Sequence, residues 1–161
     1  MPMRNRELKF ISLNVRGIVS TNKRRKIFSW FRNQSADIMF IQESHCTKAR
    51  LDQFKSSWNG SSYYGITDSA YSRGVGILVN PKLNFDLLEL HDKGDGRTLM
   101  LNVKIEGVTF TLINIYAPND IGKRTLYFSQ LHMWIMDKAC NTDNILLAGD
   151  FNCCLYDNDR S

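Results

Sequence analysis

Nowhere in the 161 residues do about 18 apolar side chains follow one another, so no membrane-spanning helix is expected. The start, "MPMRNRELKF", carries charge but no apolar stretch leading to a small-residue cleavage site, so no secretory signal is read. Cys46, Cys140, Cys153 and Cys154 form no C-x-x-C pair and lack the spacing of a zinc site or a secreted disulfide scaffold. The expectation is a soluble, intracellular protein with reduced thiols. With three prolines, no repeat and no low-complexity tract, no linker is visible, and residues 1–161 read as a single domain.

Acidic residues are nearly absent from one end. Residues 1–32 hold nine Lys or Arg, Arg16, Lys23, Arg24 and Arg25 among them, against Glu7 alone. The remaining 129 residues hold twelve bases and fifteen acids. A basic region beside a mildly acidic remainder suits a polyanionic partner such as DNA, because each phosphate contact releases condensed counterions.

What is present is a succession of apolar runs. "ELKFISLN" (7–14) and "DIMFIQE" (37–43) predict strands, the second short and nearly continuous, as in a strand covered on both faces. Between them "KRRKIFSWFRNQ" predicts a helix, with Ile27, Trp30 and Phe31 on its apolar face and the basic residues opposite. Thr47 stands where it could cap a second helix carrying Leu51 and Phe54. Five strand-like segments follow: "SSYYGIT", "GVGILVN", "NFDLLEL", "RTLMLNVKI" and "VTFTLINIYAP", with Glu106-Gly107 as a hairpin turn. Gly122 to Lys138 returns to helical spacing, with Tyr127, Leu131, Trp134, Ile135 and Lys138 on one stripe. "NILLAG" (144–149) is a last buried strand. The pattern is mixed α/β, a largely antiparallel sheet flanked by helices, with no second sheet visible.

Several apolar strands end on polar groups. Asn14 ends the first, Gln42 and Glu43 the second; Asn114, Tyr116 and Asn119 lie at or after the seventh, Asp150 and Asn152 after the last. If these ends share one rim, it holds two carboxylates, several amides and a phenol. Hard oxygen ligands of that kind suit Mg²⁺, which takes one or two protein carboxylates and leaves its other positions to water or substrate phosphate. Phosphoryl transfer needs mainly such positioning and charge stabilisation.

"SLNVRG", "IQESH", "RGVGILV", "GDGRTLMLNVKI", "NIYAPN" and "LLAGDFN" occur in order, from about Lys9 to the end. This succession resembles the endonuclease/exonuclease/phosphatase superfamily. More narrowly, it is similar to the apurinic-type endonuclease domain at the N-terminus of LINE-type non-LTR retrotransposon polyproteins. The resemblance implies the N-terminal part of a four-layered αββα, DNase-like sandwich, and Mg²⁺- or Mn²⁺-dependent nicking of DNA that leaves a 3′-hydroxyl. It implies nuclear action and a reverse transcriptase downstream in a longer polyprotein. By the same resemblance Glu43 is the principal metal ligand, supported by Asn14, while Tyr116 and Asn119 contact the scissile or flanking phosphate. Asp150 orients or deprotonates the attacking water, Asn152 stabilises the transition-state phosphate, and Arg97 matches a further motif position.

Two departures qualify it. Arg16 stands where apurinic endonucleases carry an Asp, which favours the retrotransposon type over abasic-site repair. The family's terminal Ser-Asp-His has no counterpart, and His45, His91 and His132 lack its context and read as structural or solvated. The expectation is therefore an endonuclease domain lacking its C-terminal segment. The alternatives are a catalytically dead nucleic-acid-binding relic or another phosphatase or phosphodiesterase of the superfamily.

Overall fold

A computed structural model describes residues 7–154. Two four-stranded sheets lie face to face. The first contains β1 (Phe10–Asn14), β2 (Ile38–Gln42), β3 (Ser62–Gly65) and β4 (Val75–Val79), in the order β1-β2-β4-β3. The second contains β5 (Phe85–Asp92), β6 (Thr98–Ile105), β7 (Val108–Tyr116) and β8 (Ile145–Asp150), in that order. Pairing is antiparallel except for β1 with β2 and β7 with β8.

The second sheet, not visible in the strand pattern, is present, as the resemblance to a four-layered sandwich implied. A run of antiparallel strands looks the same whether it extends one sheet or begins another. Here β4 turns back to pair with β2, and β5 opens the new sheet. Alternation tells the faces apart: Leu99, Leu101, Val103 and Ile105 of β6 point inward, against Ile38, Phe40, Val75 and Ile77 of the first sheet. Met100 points outward, to a separate cluster.

Helices cover both outer faces, completing four layers. α1 (Thr21–Asn33) and α2 (Leu51–Ser56) cover the first sheet, where Phe28, Phe31 and Phe54 are fully buried against Met39, Ile41 and Leu78. Each such side chain stabilises by roughly 1.5–3 kcal/mol. α3 (Ile121–Lys138) covers the second sheet through buried Tyr127 and Leu131, with Trp134 and Ile135 partly buried and Lys138 exposed.

Two helical expectations change. Trp30 is 43% exposed, and the buried line of α1 is Arg24, Phe28 and Phe31. Thr47 makes no side-chain cap; a 3₁₀ turn, Lys48–Arg50, intervenes before α2. Among the described residues no helix is long and apolar enough to cross a membrane.

Candidate active site

β1 and β2 run parallel, as do β7 and β8, so Asn14, Gln42, Tyr116 and Asp150 all stand at strand C-termini. The sandwich brings these ends to one rim. There the Asn14 amide donates from Nδ2 to Glu43 Oε1 at 2.8 Å and to Asp150 Oδ2 at 2.9 Å. One neutral amide holds two carboxylates from different sheets. Its own oxygen, Oδ1, accepts the Arg16 backbone N–H at 3.0 Å and is therefore engaged in the loop after β1.

The backbone around this centre is unusual. Arg16 (φ 47°), Glu43 (52°), His45 (59°) and Asn152 (48°) all adopt the left-handed conformation that L-residues with side chains avoid. Such strain persists only where the surroundings enforce it, and it concentrates at functional sites. Gly149 shows one source of enforcement: with φ 148°, an added Cβ would lie 2.1 Å from the Ile115 carbonyl oxygen. Only glycine lets β8 pass β7 closely enough to deliver Asp150.

Around the carboxylates, Tyr116 is nearly buried and its phenol is pushed up to about 12, by burial first and then by the neighbouring Glu43 carboxylate. It is therefore a neutral hydrogen-bond donor at ordinary pH. Arg97 fixes it: the guanidinium lies 5.0 Å from the ring centroid and donates to the Tyr116 carbonyl at 3.0 Å. Asn152 donates its backbone N–H to Asp150 Oδ1 at 3.0 Å, while its side-chain amide holds the Ala117 carbonyl at 2.6 Å. His45 packs against Gly17, with Nε2 buried, without a hydrogen-bond partner among the described residues and 3.8 Å from Glu43 Oε2. Burial lowers its pKa despite the pull of Glu43.

An open cleft of about 580 Å³ adjoins the centre, lined by Ser12, Asn14, Gln42, Asp150, Asn152 and Cys153 among others. The oxygen donors fit a hard divalent cation: two carboxylates held side by side by one amide, and an open cleft for water or phosphate oxygens; among the described residues no cluster of three or more His, Cys, Asp or Glu encloses it.

The other expected residues divide. Asn119 is exposed on the turn into α3, where its carbonyl accepts from Arg124. Arg16 and Lys23 are exposed near the centre, Lys23 Nζ donating to the Arg16 carbonyl at 2.7 Å, and Arg25 is exposed on α1. Arg24 is not available to a phosphate. It is fully buried, donating to the carbonyls of Ile18 and Val19 and to Ser57 Oγ, with its guanidinium 4.8 Å from the Phe54 ring centroid. The loop before α1 turns its carbonyls inward, and a buried guanidinium satisfies them.

Gln42 and Asn114, expected at the rim as strand-end polar residues, point into the sandwich. Gln42 Nε2 donates to Asn114 Oδ1 at 2.8 Å, and Asn114 Nδ2 donates to the carbonyls of Ile41 (2.9 Å) and Gly76 (2.7 Å). Sequence reasoning set His45 aside; the clue to its location was its place two residues after Glu43.

The profile of the Endonuclease/Exonuclease/phosphatase family matches residues 11–160. The Transposon TX1 uncharacterized 149 kDa protein of Xenopus laevis is 27% identical over 154 residues, which are 96% of this chain and 12% of that protein. Among solved structures, D. rerio TDP2 complexed with single strand DNA product superposes with a TM-score of 0.67 at 20% identity, over 91% of this chain and 61% of that one. An AP endonuclease from Archaeoglobus fulgidus superposes with a TM-score of 0.64 at 18% identity, over 91% and 58%. The chain thus spans a small part of its transposon relative and about three fifths of these structures.

Proposed function

The chain belongs to the Endonuclease/Exonuclease/phosphatase family, and we propose that it is a Mg²⁺- or Mn²⁺-dependent phosphodiesterase that nicks DNA, as one domain of a longer retrotransposon-type protein. The observation that carries this reading is the Asn14 bridge, which holds Glu43 and Asp150 together beside an open cleft.

Glu43 and Asp150 would hold the cation, which when bound supplies Lewis-acid polarisation of a phosphoryl oxygen. The rest is the work of this chain's own groups. Asp150 orients the attacking water and accepts its proton as the water oxygen bonds to phosphorus. The P–O3′ bond breaks and the departing O3′ takes up a proton from solvent, leaving a 3′-hydroxyl and a 5′-phosphate. The neutral Tyr116 hydroxyl donates to a phosphate oxygen, and Arg97 keeps the ring in place. Asn14 is a positioning residue, since its N–H bonds go to the carboxylates and its oxygen to Arg16. Asn152 holds the turn after β8 through Ala117. Asn119 and Arg16 hold flanking phosphates, and Lys23 and Arg25 extend the basic surface.

DNA as substrate is supported by the similarity to a transposon protein and by the DNA product bound in the TDP2 structure. In this reading a reverse transcriptase belongs to the same longer protein, and the reaction takes place in the nucleus.

The test is nicking of supercoiled plasmid in Mg²⁺ by this chain and by Asp150→Ala, each checked for folding by circular dichroism. Nicking that EDTA abolishes and that the variant lacks supports the assignment. Equal nicking by both proteins would remove Asp150 from the reaction. A folded chain that binds DNA without cutting it would be the non-catalytic relic.

A further inference from the structure

The loop between β3 and β4 carries Tyr71 at 90% exposure, the largest value among the exposed large hydrophobic side chains of the described residues. A lone exposed aromatic usually needs no explanation. This one differs because its loop is firmly tied to the segment that carries Glu43. Ser44 N–H donates to the Gly74 carbonyl and His45 N–H to the Arg73 carbonyl, each at 2.9 Å. At the loop's other end Thr67 N–H donates to the Cys46 carbonyl, also at 2.9 Å.

Gly74 makes the close approach possible: with φ 85°, an added Cβ would lie 2.6 Å from Ser44 Oγ. Inside the loop, Tyr71 N–H donates to Ser69 Oγ at 3.2 Å, and Arg73 reaches Asp68 and the Asp95 carbonyl, both at 3.3 Å. Gly74 is three residues on from Tyr71, at most about 11 Å of chain. The loop that carries the ring is thus tied through backbone hydrogen bonds to Ser44 and His45, the two residues that follow Glu43.

An aromatic ring displayed on an ordered backbone loses little entropy on stacking, and every nucleobase offers it a π-face. Resting on the nuclease reading above, we propose that Tyr71 stacks on an unstacked nucleobase flanking the scissile phosphate, and so selects cleavage sites at which a base can leave the helix. The basic residues hold the phosphates through charge, whereas Tyr71 reads the base through contact. The two contributions differ in their response to salt.

The experiment measures binding, by fluorescence anisotropy, to a labelled single-stranded oligonucleotide and to copies with one abasic residue placed at each position in turn. The chain is compared with Tyr71→Ala and Tyr71→Phe, whose melting temperatures should be unchanged at so exposed a position. Expected is a loss of roughly five- to 150-fold for the chain at one or two abasic positions. Tyr71→Ala should bind the intact strand at that weaker level, with no further loss at those positions and an unaltered salt slope. Tyr71→Phe should behave like the unsubstituted chain.

If Tyr71→Ala binds the intact strand as tightly as the chain does, the inference is overturned, and nicking by the unsubstituted chain would leave the nuclease reading standing. Equal loss at every abasic position, or a reduced salt slope in Tyr71→Ala, would make the residue a general contact and overturn base stacking. Absence of any DNA binding by the unsubstituted chain would sink both.

Discussion

Gln42 and Asn114 meet at 2.8 Å in the buried interior of the sandwich, one on each sheet, directly behind the cleft that Gln42 also lines. Asn114 continues the link through the carbonyls of Ile41 and Gly76. The two strand ends carrying Glu43 and Asp150 are thus linked by a buried polar clamp between the sheets, in addition to the Asn14 bridge at the rim.

Asn114→Leu should therefore deprive the buried carbonyls of Ile41 and Gly76 of this donor and leave Gln42 Nε2 with Ser12 Oγ alone. Each orphaned carbonyl costs about 1–3 kcal/mol, so a loss of about 2–6 kcal/mol is expected. The urea midpoint measures it; a shift too small to resolve would mean that water replaces the clamp.

The bridge at the rim calls for a different measurement. Asn14→Ala removes the only donor shared by Glu43 and Asp150 among the described hydrogen bonds, so the two anions lose their spacer and their fixed geometry. Because misplacement of a catalytic group by about 1 Å lowers rates by about 10²-fold, nicking should fall by that order, with more Mg²⁺ needed for half-maximal rate. A rate within twofold of the unsubstituted chain would show that the bridge is incidental.

Arg24 and Arg25 are adjacent in sequence and opposite in fate. Arg24→Ala strands the carbonyls of Ile18 and Val19 and should lower the urea midpoint, by about 2–4 kcal/mol of stability. Arg25→Ala should leave stability unchanged and reduce the slope of log affinity against log salt by about 0.7–0.9 for each phosphate that Arg25 neutralises. Interchanged outcomes would contradict the buried placement of Arg24.

Alkaline pH should weaken the fold in a definite window. Burial raises the phenols of Tyr116, to about 12, and of Tyr127 further still, above the ordinary 10.0. The unfolded chain then gives up these protons first, so the folded state binds more of them and stability falls as pH rises. The contribution is fully present below about pH 10 and is lost as pH rises toward about 12 and beyond. Tyr127→Phe, which removes a hydroxyl bonded to Thr98 at 2.8 Å, should lower stability at neutral pH and flatten the alkaline decline. A decline of unchanged steepness would assign it to other groups.

Much of the molecule is determined by sequence pattern alone. Each of the eight strands overlaps a segment whose apolar run or alternation marks it, β5 running on to Asp92 and β8 to Asp150, and the Glu106-Gly107 turn falls where the register of β6 and β7 closes. These features are local: side-chain period and turn chemistry act within a few residues. Asn14, Glu43, Asp150 and Tyr116 could likewise be singled out as polar ends of apolar strands.

Only the tertiary structure decided which strands share a sheet, because a strand buried on both faces carries no label for its neighbours. It also turned Gln42 and Asn114 inward as a clamp and drew Arg24 from the basic face of α1 into the core, since buried carbonyls elsewhere required donors. The meeting of Asn14 with Asp150, 136 positions apart, belongs to the same class. Local pattern determines which residues reach a strand end; long-range packing and the satisfaction of buried polar groups determine what they meet there.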